Sequence, residues 1–169
     1  MNKMREIFIE KVTVNIGVGA PGEKLDQAKT LLERLSGGKT PVETQAKRRD
    51  PVFKLRAGLP IGTKVTLRGD DAKSFIEKAL IAKRKALKES NFDKQGNLAF
   101  GVHEYIDFPG AKYDPAIAMF GFDVCVSLSR PGRRISLRKL RSASIGKGHR
   151  ISKEEAVEFM KSSFGVKVE

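Results

Sequence analysis

Val12-Thr13-Val14-Asn15-Ile16-Gly17-Val18 decides the fold: Val12, Val14, Ile16 and Val18 alternate with Thr13, Asn15 and Gly17. Successive strand side chains point to opposite faces, so this period of two predicts a β-strand with one covered apolar side and one open polar side. A strand buried on both faces, as in a doubly wound parallel sheet, would be apolar throughout. Downstream of Gly19, Pro21 and Gly22, the spacing of Leu25, Ala28, Leu32 and Leu35 predicts a helix over 23–35, ended by Ser36-Gly37-Gly38. Its apolar stripe is the natural cover for the strand's apolar side.

The same alternation predicts further strands over 41–46 and 62–68, then at Leu98, Phe100 and Val102, and last at Phe122, Val124, Val126 and Leu128. In the 62–68 segment Val65 and Leu67 face one way while Lys64, Thr66 and Arg68 face the other, without an acid among them. A second helix, capped by Asp70 or Asp71 and running to about Lys88, carries Ala72, Phe75, Ile76, Ala79, Leu80 and Leu87 on one side. Ser152 and Glu155 form a capping box for a final helix whose inner side holds Ala156, Val157, Met160 and Phe164. With 169 residues and no internal repeat, the chain is expected to be one domain, 1–169, with a protruding hairpin loop over 47–61 and an arm over 130–150.

Charge points to the partner. The chain has 33 Lys and Arg against 20 Asp and Glu, a net charge of +13. The excess is segregated: 130–150 holds eight basic residues and no acid, and Lys47, Arg48, Arg49, Lys54, Arg56, Lys64 and Arg68 have only Asp50 among them. Such tracts without their own counter-ions predict a polyanion as partner. The arm has no apolar stripe and is expected to gain order mainly when a partner neutralises it. The single Cys125 cannot form an internal disulfide; in its apolar alternating run it reads as a small hydrophobe in a reducing cytoplasm. Neither a signal peptide nor an apolar run long enough to span a membrane is present, and neither basic tract is the amphipathic helix a membrane surface selects.

Catalytic readings fare poorly. Gly17, Gly19 and Gly22 spell G-x-G-x-x-G, with Glu43 at about the spacing a dinucleotide site asks for. Thr13 and Asn15, however, leave one side of the preceding strand polar, and Pro21 removes an amide that pyrophosphate would need. Gly38-Lys39-Thr40 imitates the end of a P-loop, but Glu33 stands where its first glycine belongs. His103 and His149 have no ligands at metal spacing, and no nucleophile, base and orienter stand together. The chain is therefore expected to be a non-enzyme without cofactor or metal. Phe53 inside the basic loop could lie on a sugar or base while Lys54 and Arg56 take phosphates, and the cations lie on strands and loops, not on a major-groove helix. RNA fits better than duplex DNA; a nucleotide-dependent enzyme and a non-specific RNA chaperone are the alternatives.

These residues also carry a resemblance. Val14-Asn15-Ile16-Gly17-Val18-Gly19, Leu35-Ser36-Gly37 with Lys39-Thr40-Pro41-Val42, Phe53-Lys54-Leu55-Arg56, Pro60 through Gly69, Gly96-Asn97, Tyr113-Asp114-Pro115 and Gly148 through Ala156 follow one another as they do in a known family. Over nearly its whole length the chain resembles the large-subunit ribosomal protein five family, which binds 5S rRNA, in its archaeal or eukaryotic-like form. The resemblance implies an α+β fold, helices on one face of a mostly antiparallel sheet, and this agrees with the strands and helices read above. It implies rRNA contacts at Asn15 and Thr66, and at Lys39, which stands where the family often has Gln and so favours phosphate over base-edge contact; Thr44, read from the sheet, and Lys47, Lys64 and Arg68, read from the basic tract, are expected to add a hydrogen bond and electrostatic attraction to the same rRNA. It implies contact of Arg48, Arg49, Phe53, Lys54, Leu55 and Arg56 with the tRNA in the peptidyl site. It also implies further rRNA contacts at Arg130, Arg133, Arg134, Arg138, Lys139, Arg141, Lys147, His149 and Arg150. The partners implied are 5S rRNA, large-subunit rRNA, peptidyl-site tRNA, large-subunit protein eighteen and small-subunit protein thirteen. The implied place is the central protuberance of the large subunit of the cytoplasmic ribosome, with no homo-oligomer.

Overall fold

The computed structural model describes residues 2–168. Its strands are β1 (Phe8–Gly17), β2 (Val42–Gln45), β3 (Pro60–Leu67), β4 (Ala86–Leu87), β5 (Leu98–Val102), β6 (Phe122–Ser129) and β7 (Lys167–Val168). The helices are α1 (Glu23–Leu35), α2 (Gly69–Ala82), α3 (Arg134–Leu137) and α4 (Lys153–Phe164). Five strands form one sheet of order β2-β3-β1-β6-β5, antiparallel at every junction, while β4 and β7 pair in parallel. The architecture is α+β, as expected.

The opening alternation is the centre of this sheet. Val12, Val14 and Ile16 are buried with Val65 and Leu67 of β3 and Val124, Val126 and Leu128 of β6. α1 packs against β3 and α2 against β1 on that side, joined by Ala156 and Met160 of α4. Thr13 and Asn15, half-buried, and Lys64 and Thr66, exposed, project the other way, where among the described residues no helix packs on them. Apolar burial on one side only follows from the period of two, so the helices hold the sheet and leave its second face open.

α1 spans the expected residues, with Leu31 added to its buried stripe. The capping box is complete: Glu155 N–H donates to Ser152 Oγ at 3.3 Å and Ser152 N–H to Glu155 Oε2 at 3.0 Å. The expectation for α2 needs correction. Neither Asp70 nor Asp71 caps it; the chain comes in through Gly69 at φ 63°, and both acids lie in the first turn, where the helix dipole favours them. Nor does the helix reach Lys88. It ends at Ala82 because Arg84 and Lys85 take left-handed φ of 55° and 54°, and Leu87 joins the core from β4 instead, beside Val168.

The arm is more anchored than its local charge suggested. Arg130 is 8% exposed, donating through Nη2 to Glu155 Oε1 at 2.7 Å and through Nη1 to the Arg150 carbonyl at 3.4 Å. Arg133 reaches Glu10, the residue at which the β1–β6 register shifts, at 2.8 Å. His149 donates through Nε2 to the Pro131 carbonyl at 2.9 Å, tying the arm's two ends together. The counter-ions come from acids distant in the chain, which no count of charge within 130–150 could register. Arg130 thus leaves the set of free surface cations, whereas Arg134, Arg138, Lys139, Arg141, Lys147 and Arg150 stay exposed.

Candidate nucleic-acid interface

Register assembles the open face. Thr13 sits opposite Thr66 on one side and Cys125 on the other; Asn15 sits opposite Lys64 and Asp123; Lys11 opposite Ser127. β5 adds Ala99 opposite Cys125 and Gly101 opposite Asp123, and β2 adds Thr44 opposite Gly62 and Val42 opposite Lys64. Asn15 and Thr66 are therefore near neighbours on adjacent strands, roughly 8 Å apart, with Asn15 half-buried and Thr66 exposed. Thr44 is half-buried because it leans over Gly62, where a Cβ would meet Thr44 Oγ1 at 2.8 Å and the Ile16 carbonyl at 2.7 Å. Flat, small and polar residues let a backbone or a ribose approach the sheet closely.

Cations rim this face on the β2–β3 side. Lys64 projects from it, Arg68 follows at the end of β3, and Lys47 stands exposed at the root of the β2–β3 hairpin. Lys39 lies off the face, paired to Asp71 at 3.0 Å with both side chains more than half exposed. Such a surface pair contributes little to stability and yields readily to a phosphate. The β6 side contributes what the site residues read from the sequence omitted. Asp123 is an exposed acid beside Asn15, and Cys125, read from the sequence as a small hydrophobe, is exposed. Both follow from the parity of Phe122, Val124 and Val126, which turns 123 and 125 outward. Partial burial, then the Asp123 charge, pushes the Cys125 thiol up, so it stays protonated near neutrality.

The loop between β2 and β3 is itself a narrow hairpin. Asp50 and Leu55 exchange backbone hydrogen bonds of 3.1 and 2.8 Å, and Lys54 turns the chain at φ 55°. Asp50 Oδ1 accepts from Val52 N–H at 3.0 Å, so the one acid of the tract is occupied in shaping the turn. Val52 and Phe53 are 84% and 71% exposed at the tip, with Arg48, Arg49, Lys54 and Arg56 exposed around them and Leu55 half-buried. This hairpin is an exposed aromatic and aliphatic tip in a ring of cations, joined to the open face through Lys47.

The glycine motif is not a phosphate cradle. Val18 and Gly19 both donate their amides to the Ile61 carbonyl, at 3.0 and 2.7 Å, and β1 has antiparallel neighbours on both sides. A dinucleotide fingerprint needs a βαβ unit with free amides at the turn. Gly38 likewise donates to the Glu33 carbonyl at 2.8 Å, closing the end of α1. His103 is exposed after β5, and His149, in the arm, is held by the Pro131 carbonyl.

Comparison with known proteins identifies the family. Residues 2–56 match the family model described as "Ribosomal protein L5", and residues 60–164 match the model of the C-terminus of the same ribosomal family. The two matched segments share the sheet, since β3 of the second lies between β1 and β2 of the first. Over 169 residues the chain is 50% identical to large ribosomal subunit protein uL5 of Sulfurisphaera tokodaii, covering 99% of this chain and 95% of that one. It is likewise 50% identical to uL5 of Thermoplasma volcanium, with 99% of each chain covered, and 47% identical to uL5 of Methanosphaera stadtmanae over the whole of both. The chain therefore belongs to the ribosomal protein L5 family, structural proteins of the large ribosomal subunit and not enzymes.

Proposed function

We propose that the open sheet face docks 5S rRNA, that the loop 48–61 contacts the tRNA in the peptidyl site, and that the chain helps attach 5S rRNA in the central protuberance of the large subunit. The observation that carries the reading is the uncovered face: Asn15, Thr13 and Thr66 present hydrogen-bonding groups on a rigid strand pair, and Lys64, Arg68 and Lys47 lie along one rim. Polar side chains on a fixed sheet can meet 2′-hydroxyls and base edges, while the rim cations track phosphates. Lys39 adds a phosphate contact from outside the face.

The hairpin supports the tRNA role because its exposed Phe53 and four cations suit the backbone and an unstacked surface of a second RNA. The exposed arm cations Arg134, Arg138, Lys139, Arg141, Lys147 and Arg150 are assigned to large-subunit rRNA. Large-subunit protein eighteen and, in an intersubunit bridge, small-subunit protein thirteen are the protein partners under this reading.

The test is a filter assay of the full chain with 5S rRNA and a same-length control RNA at matched salt. Asn15→Ala with Thr66→Ala should weaken 5S binding by about 1 to 3 kcal/mol while leaving the control unchanged. Unchanged 5S affinity removes the open face from the site, and equal affinity for both RNAs favours a non-specific RNA chaperone.

A further inference from the structure

Behind the arm lies a half-open cavity of about 600 Å³ that the open face does not account for. It sits beside Leu128 and Ser129 at the far end of β6 from Asp123, roughly 20 Å along the strand from the partner of Asn15. Lys94, Arg130, Arg133, His149 and Arg150 line it, without a single carboxylate residue. Leu128, Ile145 and Ile151 give it an apolar wall, and Gln95 and Asn97 add amides that both donate and accept.

Arg130 supplies the second observation. Its Nη atoms are occupied by Glu155 and by the Arg150 carbonyl, but its buried Nε–H has no acceptor among the described residues. A buried donor without a partner is a cost, and it leaves the Arg130 side chain short of its full set of acceptors at the cavity wall. Two of the lining cations are paired, Arg130 with Glu155 and Arg133 with Glu10, and Lys94 and Arg150, which have no carboxylate partner among the described residues, leave the cavity with uncompensated positive character.

From this arrangement we propose that the cavity receives one nucleotide of large-subunit rRNA swung out of its stack. The phosphate meets the cations that line the cavity, Lys94 and Arg150 among them, and the base lies on the Leu128, Ile145 and Ile151 wall. A free phosphate would use only the cations. The volume, apolar wall and paired amides are those of a site for a base as well. The inference builds on the chain being a ribosomal RNA-binding protein, but not on what the open face binds.

The experiment titrates adenosine 5′-monophosphate, cytidine 5′-monophosphate, inorganic phosphate and a short acidic peptide separately into the isotope-labelled full chain. The Arg130 Nε–H signal and the Gly148 amide are followed by NMR. The expected result is a saturable shift with a mononucleotide at millimolar concentration, at least fivefold tighter than with phosphate. Ser144→Glu, which sets a carboxylate in the cavity without touching Arg130, should abolish it. Equal affinity for phosphate reduces the site to an anion hole and overturns the nucleotide assignment. Preference for the acidic peptide makes it a protein contact, and absence of any shift overturns the proposal. Because Ser144→Glu lies far from Asn15, its 5S rRNA affinity in the filter assay should stay within twofold of the parent. Loss of the mononucleotide shift therefore separates from failure of the open-face reading.

Discussion

Docking of 5S rRNA on the open face should shield the one cysteine of the chain from alkylation. Cys125 lies beside Thr13, whose other neighbour is Thr66, so the thiol is about two strand spacings, roughly 10 Å, from Thr66 and nearer still to Asn15. An RNA that touches both residues passes over or against it. The thiol starts protonated, because burial and then Asp123 push its pKa up, so maleimide labelling of the free chain should be slow and should accelerate as pH rises. With RNA at ten times its Kd, free chain falls to about one part in eleven, and labelling should slow about elevenfold if bound chain is inert. Mass spectrometry of the intact chain reads this directly, since there is no second cysteine to confuse it. A same-length control RNA at the same concentration should give little slowing, and the Asn15→Ala, Thr66→Ala chain, with its affinity down by about 1 to 3 kcal/mol, should be slowed only about threefold or less at that RNA concentration. Labelling unaffected by saturating 5S rRNA would refute docking on this face, whatever the affinity measured by other means.

Truncating Lys54, Leu55 and Arg56 to alanine should leave 5S binding within about twofold yet lower tRNA occupancy of the peptidyl site on assembled ribosomes; equal loss of both would make the hairpin part of the 5S site. Glu155→Gln should cost about 1 to 2 kcal/mol at neutral pH in denaturant titration, less than the 3–5 of a fully buried pair because the carboxylate is 41% exposed. The Ser152 amide first, then Arg130, hold the Glu155 carboxyl below its ordinary 4.5, so its stabilisation is complete above that pH and is lost as pH falls through the lowered folded value. Stability of the Gln variant should accordingly fall less steeply on acidification, and an unchanged acid slope would rule out this source. Gly62→Ala should destabilise by about 1 to 3 kcal/mol, and Thr44→Ala should not rescue it, because the Ile16 carbonyl at 2.7 Å from the new Cβ belongs to the neighbouring strand.

Much of this was legible in the order of residues because it depends on local period. The run from Val12 to Val18 specified which side of β1 is covered, the stripe of Leu25, Ala28 and Leu32 specified α1, and Ser152 with Glu155 marked the start of α4 to the residue. What was not legible depends on partners distant in the chain. Leu87 kept helical spacing with α2, yet the turn at Arg84 and Lys85 delivers it to β4, and only pairing with Val168 shows why. The arm looked free of counter-ions because Glu10 and Glu155 lie outside it. Half of the open face was missed for a different reason. The parity that buries Val124 and Val126 also exposes Asp123 and Cys125, but their place beside Asn15 and Thr13 required knowing that β6 pairs with β1.

That pairing changes how the face can read RNA. A surface of cations alone binds any phosphate chain, with affinity set by salt. Here the positive charge is displaced to the β2–β3 rim, and the β6 side of Asn15 presents a carboxylate that repels phosphate and accepts from hydroxyl or amino groups. Under the proposed docking, the two together would orient an approaching strand, backbone toward Lys64, Arg68 and Lys47, sugar and base edges toward Thr13, Asn15 and Asp123. Like-charge repulsion on the wrong side discriminates against alternative dockings as effectively as attraction on the right one. Under that docking, the acid beside Asn15 would turn a basic surface into one that prefers a single direction of approach.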